Sequence, residues 1–167
     1  GLGDVYKRQE RPSYAGAASD KPSYTTEQAA EQITRTGYRW KERNQDSTTP
    51  IGYRFFTPAQ GTYNTPSGAS EFSHSQKEQA RRAMQSWADV ANVSFTENAP
   101  DLKGQILLGN DPQTGLAGYA SYPGIYSDGT QAWFASGGNN RPFTHGSFSR
   151  YLLVHEIGHT LGLMHPG

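Results

Sequence analysis

The chain has 167 residues, room for one domain rather than two, and its 15 basic side chains balance its 15 acidic ones. That balance argues against a phosphate-binding footprint for nucleic acid and against a polybasic membrane anchor. The absence of cysteine excludes disulfides, thiolate metal sites and a cysteine nucleophile, and no apolar run reaches the ~18 residues a membrane span needs. Apolar residues make up 34%, low against the roughly 45–50% of globular chains, but that benchmark counts glycine and the 19 glycines fill most of the gap. An aromatic content of 12% excludes wholesale disorder.

Residues 1–9 share no period with the rest of the chain and resemble the translated adapter of a sequencing library, so they are set aside as foreign. Residues 10–23, rich in Pro, Ser, Ala and Gly, read as a flexible lead-in to a domain over 24–167. Thr25 and Gln28 form a capping box for a first helix with Ala29, Ala30 and Ile33 on its apolar side. Tyr38-Arg39-Trp40 and Ile51 to Phe56 alternate as strands do, and residues 57–73 are turn-forming.

Ser75 and Glu78 suggest a second capping box. Ala80, Ala83, Met84, Trp87, Ala88 and Ala91 then recur at the spacing of one buried helical face, and Asn92 suits a left-handed cap. Val93–Phe95 and Gln105–Leu108 read as strands, the second suited to a sheet interior. Gly118–Tyr122 and Gln131–Phe134 are two more, separated by a turn at Ser127-Asp128-Gly129. Strands alternating with helices point to a partly parallel sheet. His74 and His145 read as solvated loop residues, Asp111 and Asp128 as turn residues, and Trp40, Trp87 and Trp133 as packing residues.

The chemistry sits at the end of the chain. A helix over Ser149–Leu161 carries His155-Glu156-Ile157-Gly158-His159. One turn apart, His155 and His159 share a face and can converge on one ion. Ile157 points about 200° away from His155 and joins Leu153 and Leu161 in an apolar stripe that docks the helix. Gly162 can end the helix with a positive φ, so that the chain turns back and His165 supplies a third nitrogen. Three neutral imidazoles suit zinc with an open position, and Glu156 lies beside them without ligating. The full pattern, His-Glu-x-x-His-x-x-Gly-x-x-His, arises by chance on the order of 10⁻⁸–10⁻⁷ per start position. A structural zinc site is the other reading, but it ordinarily closes with a fourth protein ligand and gives Glu156 no task.

His155 to His165 resembles the metzincin zinc proteases, and the extension through Met164-His165-Pro166-Gly167 resembles the serralysins. Gln85 to Phe95 is similar to the long helix and following strand of that family, and Thr25 to Thr34 to its N-terminal helix. The resemblance implies an α+β fold: the upper subdomain of a metzincin, with a twisted, mostly parallel five-stranded sheet packed on a long helix and the zinc-binding helix. One antiparallel edge strand would bind extended peptide by strand addition. Gly118, Tyr119, Ala120, Ser121 and Tyr122 are the candidates for that edge, with an apolar core strand as the alternative.

The implied function is that of a secreted, monomeric zinc endopeptidase acting on proteins or peptides, with no nucleic-acid or membrane partner. Zinc would sit on His155, His159 and His165, with Gly162 as the motif turn and Glu156 as general base. A non-catalytic zinc module and a matrixin-like protease are the alternatives. The serralysins continue into a methionine-containing turn, a metal-side tyrosine, calcium-binding repeats and an export signal. None of these is in this sequence, so calcium is expected only in a region beyond it. The chain is read as truncated after the zinc motif, weakly active or inactive by itself.

Overall fold

The computed structural model describes residues 25–35, 37–40, 48–60, 64–100, 105–124, 129–136 and 148–165. The adapter-like start, the lead-in, Ser127, Asp128, His145, Pro166 and Gly167 lie outside them. The elements in chain order are α1 (Thr26–Thr34), β1 (Thr49–Phe55), a 3-10 turn at Pro58–Gln60, and α2 (His74–Ala88). Next come β2 (Val93–Glu97), β3 (Gln105–Asp111), β4 (Gly118–Ala120), β5 (Gly129–Ala135) and α3 (Phe148–Thr160).

The five strands form one sheet in the order β2-β1-β3-β5-β4, as the alternation of elements implied. β1 runs parallel to β2 and β3, and β3 parallel to β5; only β4 is antiparallel, and it lies at the edge. The core strands alternate between two faces, as a period of two requires. Ile51, Tyr53, Phe55, Ile106, Leu108, Ala132 and Phe134 meet Ala80, Ala83 and Met84 of α2 and Leu153 and Ile157 of α3. The opposite face holds a smaller cluster of Phe56, Leu107 and Trp133. Leu153 and Ile157 are fully buried, each worth about 1.5–3 kcal/mol of transfer free energy, so the apolar stripe of α3 fixes which side faces away from the sheet.

Several local expectations change. Tyr38-Arg39-Trp40 forms no strand; its backbone packs against the end of α3, with the Trp40 indole N–H donating to the Thr160 carbonyl at 2.9 Å. The cap of α2 is Ser73 with Gln76, two residues earlier than Ser75 with Glu78, because the buried Gln76 amide is also engaged by Asn110 at 2.8 Å. Glu78 instead accepts from Arg81. His74 is therefore the exposed first residue of α2, not a loop residue.

Asn92 is not left-handed. α2 closes on Asp89 in a right-handed conformation, and the Asn92 carbonyl accepts from the Thr49 N–H where β1 and β2 begin to pair. Asn64 and Asn98 hold the positive φ values among the described non-glycine residues. On α1, Ile33 is half-buried while Ala29 and Ala30 are exposed, so its apolar side is narrower than expected. Asp111 ends β3 rather than lying in a turn, though it does cap the next one: its carboxylate accepts from the Gln113 N–H at 2.9 Å.

Candidate metal centre and cleft

α3 ends as its sequence requires. The Gly162 N–H donates to the His159 carbonyl at 2.9 Å and the Leu163 N–H to the Gly158 carbonyl at 3.1 Å, the paired bonds of a Schellman turn. Gly162 supplies the positive φ, +103°. A side chain there would collide with the Tyr38 carbonyl, since a β-carbon would stand 2.0 Å from its oxygen. The chain therefore reverses tightly, and His165 returns to the face that carries His155 and His159.

The three imidazoles meet at their Nε2 atoms. His155 and His165 are 2.9 Å apart there, and His159 is 3.1 Å from each. The Nδ1 of His159 lies 2.6 Å from the Leu163 carbonyl, which can only accept. That nitrogen carries the proton, so the Nε2 of His159 presents a bare lone pair to the other two rings. Tetrahedral zinc at ~2.0–2.1 Å from each nitrogen asks for nitrogens about 3.3 Å apart, so the donor set fits a zinc-sized ion. Among the described residues, this is the group of His, Asp or Glu side chains able to hold a metal.

Glu156 is buried at 5% exposure, and burial pushes its carboxyl above the usual value, with His165 opposing in part. Burial and the two neighbouring imidazoles hold His155 below the ordinary histidine value, which keeps it in the form that ligates. The Tyr122 ring meets His159 edge-on at 5.7 Å, and Tyr151 lies tilted 6.2 Å from His155.

Of the candidate edge residues, Gly118, Tyr119 and Ala120 form β4 at the edge of the sheet, not a strand inside it. The Ala135 N–H donates to the Ala117 carbonyl and the Ser121 N–H to the Gln131 carbonyl. Backbone groups alternate in direction along an antiparallel strand, so Gly118 and Ala120 turn their N–H and C=O outward to the open side. Tyr119 is tethered instead, its hydroxyl donating to Asp111 at 2.9 Å. Burial, with the Asp111 carboxylate, pushes that phenol well up. Ser121 still pairs, whereas Tyr122 has left the strand to cover His159.

Other residues that shape the site carried weaker sequence signals. Trp87 donates its indole N–H to the Val154 carbonyl at 3.0 Å, one residue before the first histidine. Gly158, between the two helical histidines, lies so close that a β-carbon would be 3.0 Å from Trp87 Cζ2. A glycine inside a helical pattern is the signal for such an approach.

The sequence also has relatives among known proteins. Residues 51–166 match the model of the metallo-peptidase family M12B, reprolysin-like. The chain is 43% identical over 158 residues to metalloprotease AprA of Pseudomonas entomophila, covering 88% of this chain and 32% of that protein. It is 36% identical over 180 aligned residues to serralysin G of Dickeya chrysanthemi, covering 100% of this chain and 38% of that protein. Among solved structures, the hatching enzyme zinc-protease HCE-1 of the medaka Oryzias latipes has a TM-score of 0.47 at 16% identity, over 78% of this chain and 51% of that one. The chain thus spans about a third of the length of the curated relatives it matches. The match to the family model runs over most of the sequence, and the chain belongs to the reprolysin-like M12B metallopeptidases.

Proposed function

We propose that the chain carries the catalytic centre of a zinc endopeptidase that cleaves proteins or peptides, acting outside the cell as a monomer. The observation that carries the reading is the convergence of three histidine Nε2 atoms within 3.1 Å, beside a buried glutamate that is not one of them. His155, His159 and His165 would hold the ion. When bound, zinc supplies Lewis-acid polarisation of the scissile carbonyl and makes water more acidic.

The protein's own groups do the rest. Glu156 takes the proton of the attacking water on its carboxylate and returns it to the leaving amine nitrogen. Its burial raises its proton affinity towards the range in which a carboxylate can both take and give a proton. Gly118 and Ala120 offer outward backbone donors and acceptors to an extended peptide laid along β4, which orients the scissile bond beside Glu156. The Tyr119–Asp111 bond holds that strand in register.

The test is Glu156→Gln in the native gene product. It is expected to keep zinc at wild-type stoichiometry and to lose peptide hydrolysis by several orders of magnitude. Turnover close to wild type would overturn Glu156 as general base. Absence of cleavage in the wild-type protein with zinc fully bound would favour a binding module instead.

A further inference from the structure

The third histidine leaves α3 on a short turn, and that turn is held by a part of the chain about 130 residues earlier. Among the described residues, four contacts cross between them. The Met164 N–H donates to the Ile33 carbonyl at 2.7 Å, and the Arg35 guanidinium donates to the His165 carbonyl at 3.1 Å. The Trp40 indole donates to the Thr160 carbonyl at 2.9 Å, where α3 ends, and the Tyr38 carbonyl packs directly on Gly162. The Tyr38 ring also stacks on Tyr122 at 5.5 Å, and Tyr122 in turn meets the ring of His159.

These contacts fall on the metal turn and its cover: the helix end, the glycine, the residue before the ligand, the ligand's own carbonyl and the ring over His159. Little else in the turn is regular. His165 is exposed, and after the Schellman bonds to Leu163 no helix or strand constrains it. A lone imidazole on a free turn would spend rotational and backbone entropy on binding a metal; one held from behind has already lost it. We infer that residues 33–35 and 37–40 form a positioning strap for the third metal ligand, with Trp40 and Arg35 as its anchoring side chains. The inference rests on the reading of the three histidines as a metal site.

The strap also accounts for a segment that reads as a strand and forms none. Tyr38-Arg39-Trp40 has the alternation of a strand, but its backbone is committed to the end of α3 and its indole to the Thr160 carbonyl, which helix formation leaves without an intrahelical partner.

The experiment measures zinc affinity of the native gene product by competition with a chromophoric chelator, and the visible spectrum of the cobalt form. Trp40→Phe keeps the ring and removes the donor; Arg35→Met keeps the stem and removes the charge. The pair is expected to weaken zinc binding about tenfold or more, as loss of supporting contacts behind metal ligands does. Its cobalt spectrum should move towards that of His165→Ala. Ile51→Val, which loosens the core at a residue that makes none of these contacts, should leave affinity within about twofold of wild type. Wild-type affinity and spectrum in the pair, with zinc binding lost in His165→Ala, overturn the strap while the metal site stands. An equal loss in Ile51→Val also overturns it, because the effect would then be general stability. Unchanged affinity in His165→Ala overturns the metal-site reading itself. Trp40→Phe alone gives the same readout should the pair fail to fold.

Discussion

Gly118 of the edge strand and Glu156 of α3 approach each other closely only because residue 118 has no side chain. A β-carbon there would stand 3.3 Å from Glu156 Cγ, 3.2 Å from the Trp133 carbonyl oxygen and 3.3 Å from Phe134 Cδ1. The backbone and the packed aromatic ring cannot retreat, so the glutamate is what yields. Gly118→Ala should therefore displace the carboxylate by a few tenths of an ångström. Misplacement by a full ångström costs on the order of a hundredfold in rate, so a loss of about tenfold in kcat with zinc affinity unchanged is expected. Gly118→Val should in addition destabilise the fold by about 1–3 kcal/mol in urea unfolding. An unaltered kcat in Gly118→Ala would show that the contact does not position Glu156.

Gly158 sets two opposing effects against each other. Alanine in a helix interior is favoured over glycine by about 0.8–1.0 kcal/mol. Here the new β-carbon would be 3.0 Å from Trp87 Cζ2, and overpacking costs about 1–3 kcal/mol. The steric cost wins, so Gly158→Ala should destabilise. Trp87→Phe reverses the balance: it removes the indole bond to the Val154 carbonyl, worth about 0.5–1.5 kcal/mol, but it also opens the space beside residue 158. In that background Gly158→Ala should stabilise. A double-mutant cycle by urea unfolding checks the change of sign.

The start of α2 shows where the sequence was readable and where it was not. The motif Ser-x-x-Glu/Gln occurs twice in close succession, as Ser73 with Gln76 and as Ser75 with Glu78, and local chemistry does not choose between them. The choice is tertiary. Phe72 is buried against Phe55 and Phe134, and Gln76 reaches Asn110, which also donates to the Glu71 carbonyl. Ser73→Ala should accordingly cost about 1 kcal/mol, and Ser75→Ala close to nothing, in thermal or urea unfolding. Equal costs would place the cap elsewhere.

The same distinction runs through the molecule. The convergence of the three histidines was legible because its determinants lie within one helix and its turn, where spacing alone fixes direction. Ile157 and Leu153 go to the core, His155 and His159 go to the other side, and Gly162 reverses the chain. The strands of the core were legible from their apolar runs, with ends displaced by a few residues. Contacts between distant segments were not legible. Nothing near Trp40 announces Thr160, and nothing near Trp87 announces Val154, because an indole donor has no sequence period. Tyr119–Asp111 is likewise invisible until β3 and the edge strand are placed.

The acid and alkaline limits of stability should both report on one cluster where β1 and β2 meet α2. Arg81 donates through Nε and Nη2 to the two carboxylate oxygens of Glu97, at 2.8 and 3.0 Å, and the Tyr53 hydroxyl donates to the same carboxylate at 3.1 Å. The Arg81 bonds hold Glu97 below its ordinary value of 4.5 despite partial burial. Its charged form is therefore favoured by folding, and the stability it contributes is complete above 4.5 and disappears as pH falls through the lowered value. Burial, and then the Glu97 charge and hydrogen bond, push Tyr53 up from 10.0 to about 12. Folding favours its neutral form, so that contribution is complete below pH 10 and is lost as pH rises to about 12. Because the pair is partly exposed, salt should reduce the acid-side effect. Urea unfolding across pH should show Glu97→Gln losing less stability than wild type below pH 4.5, and Tyr53→Phe losing less between pH 10 and 12. Parallel curves for wild type and Glu97→Gln in acid would mean that the ion pair persists in the unfolded chain or contributes nothing to the fold.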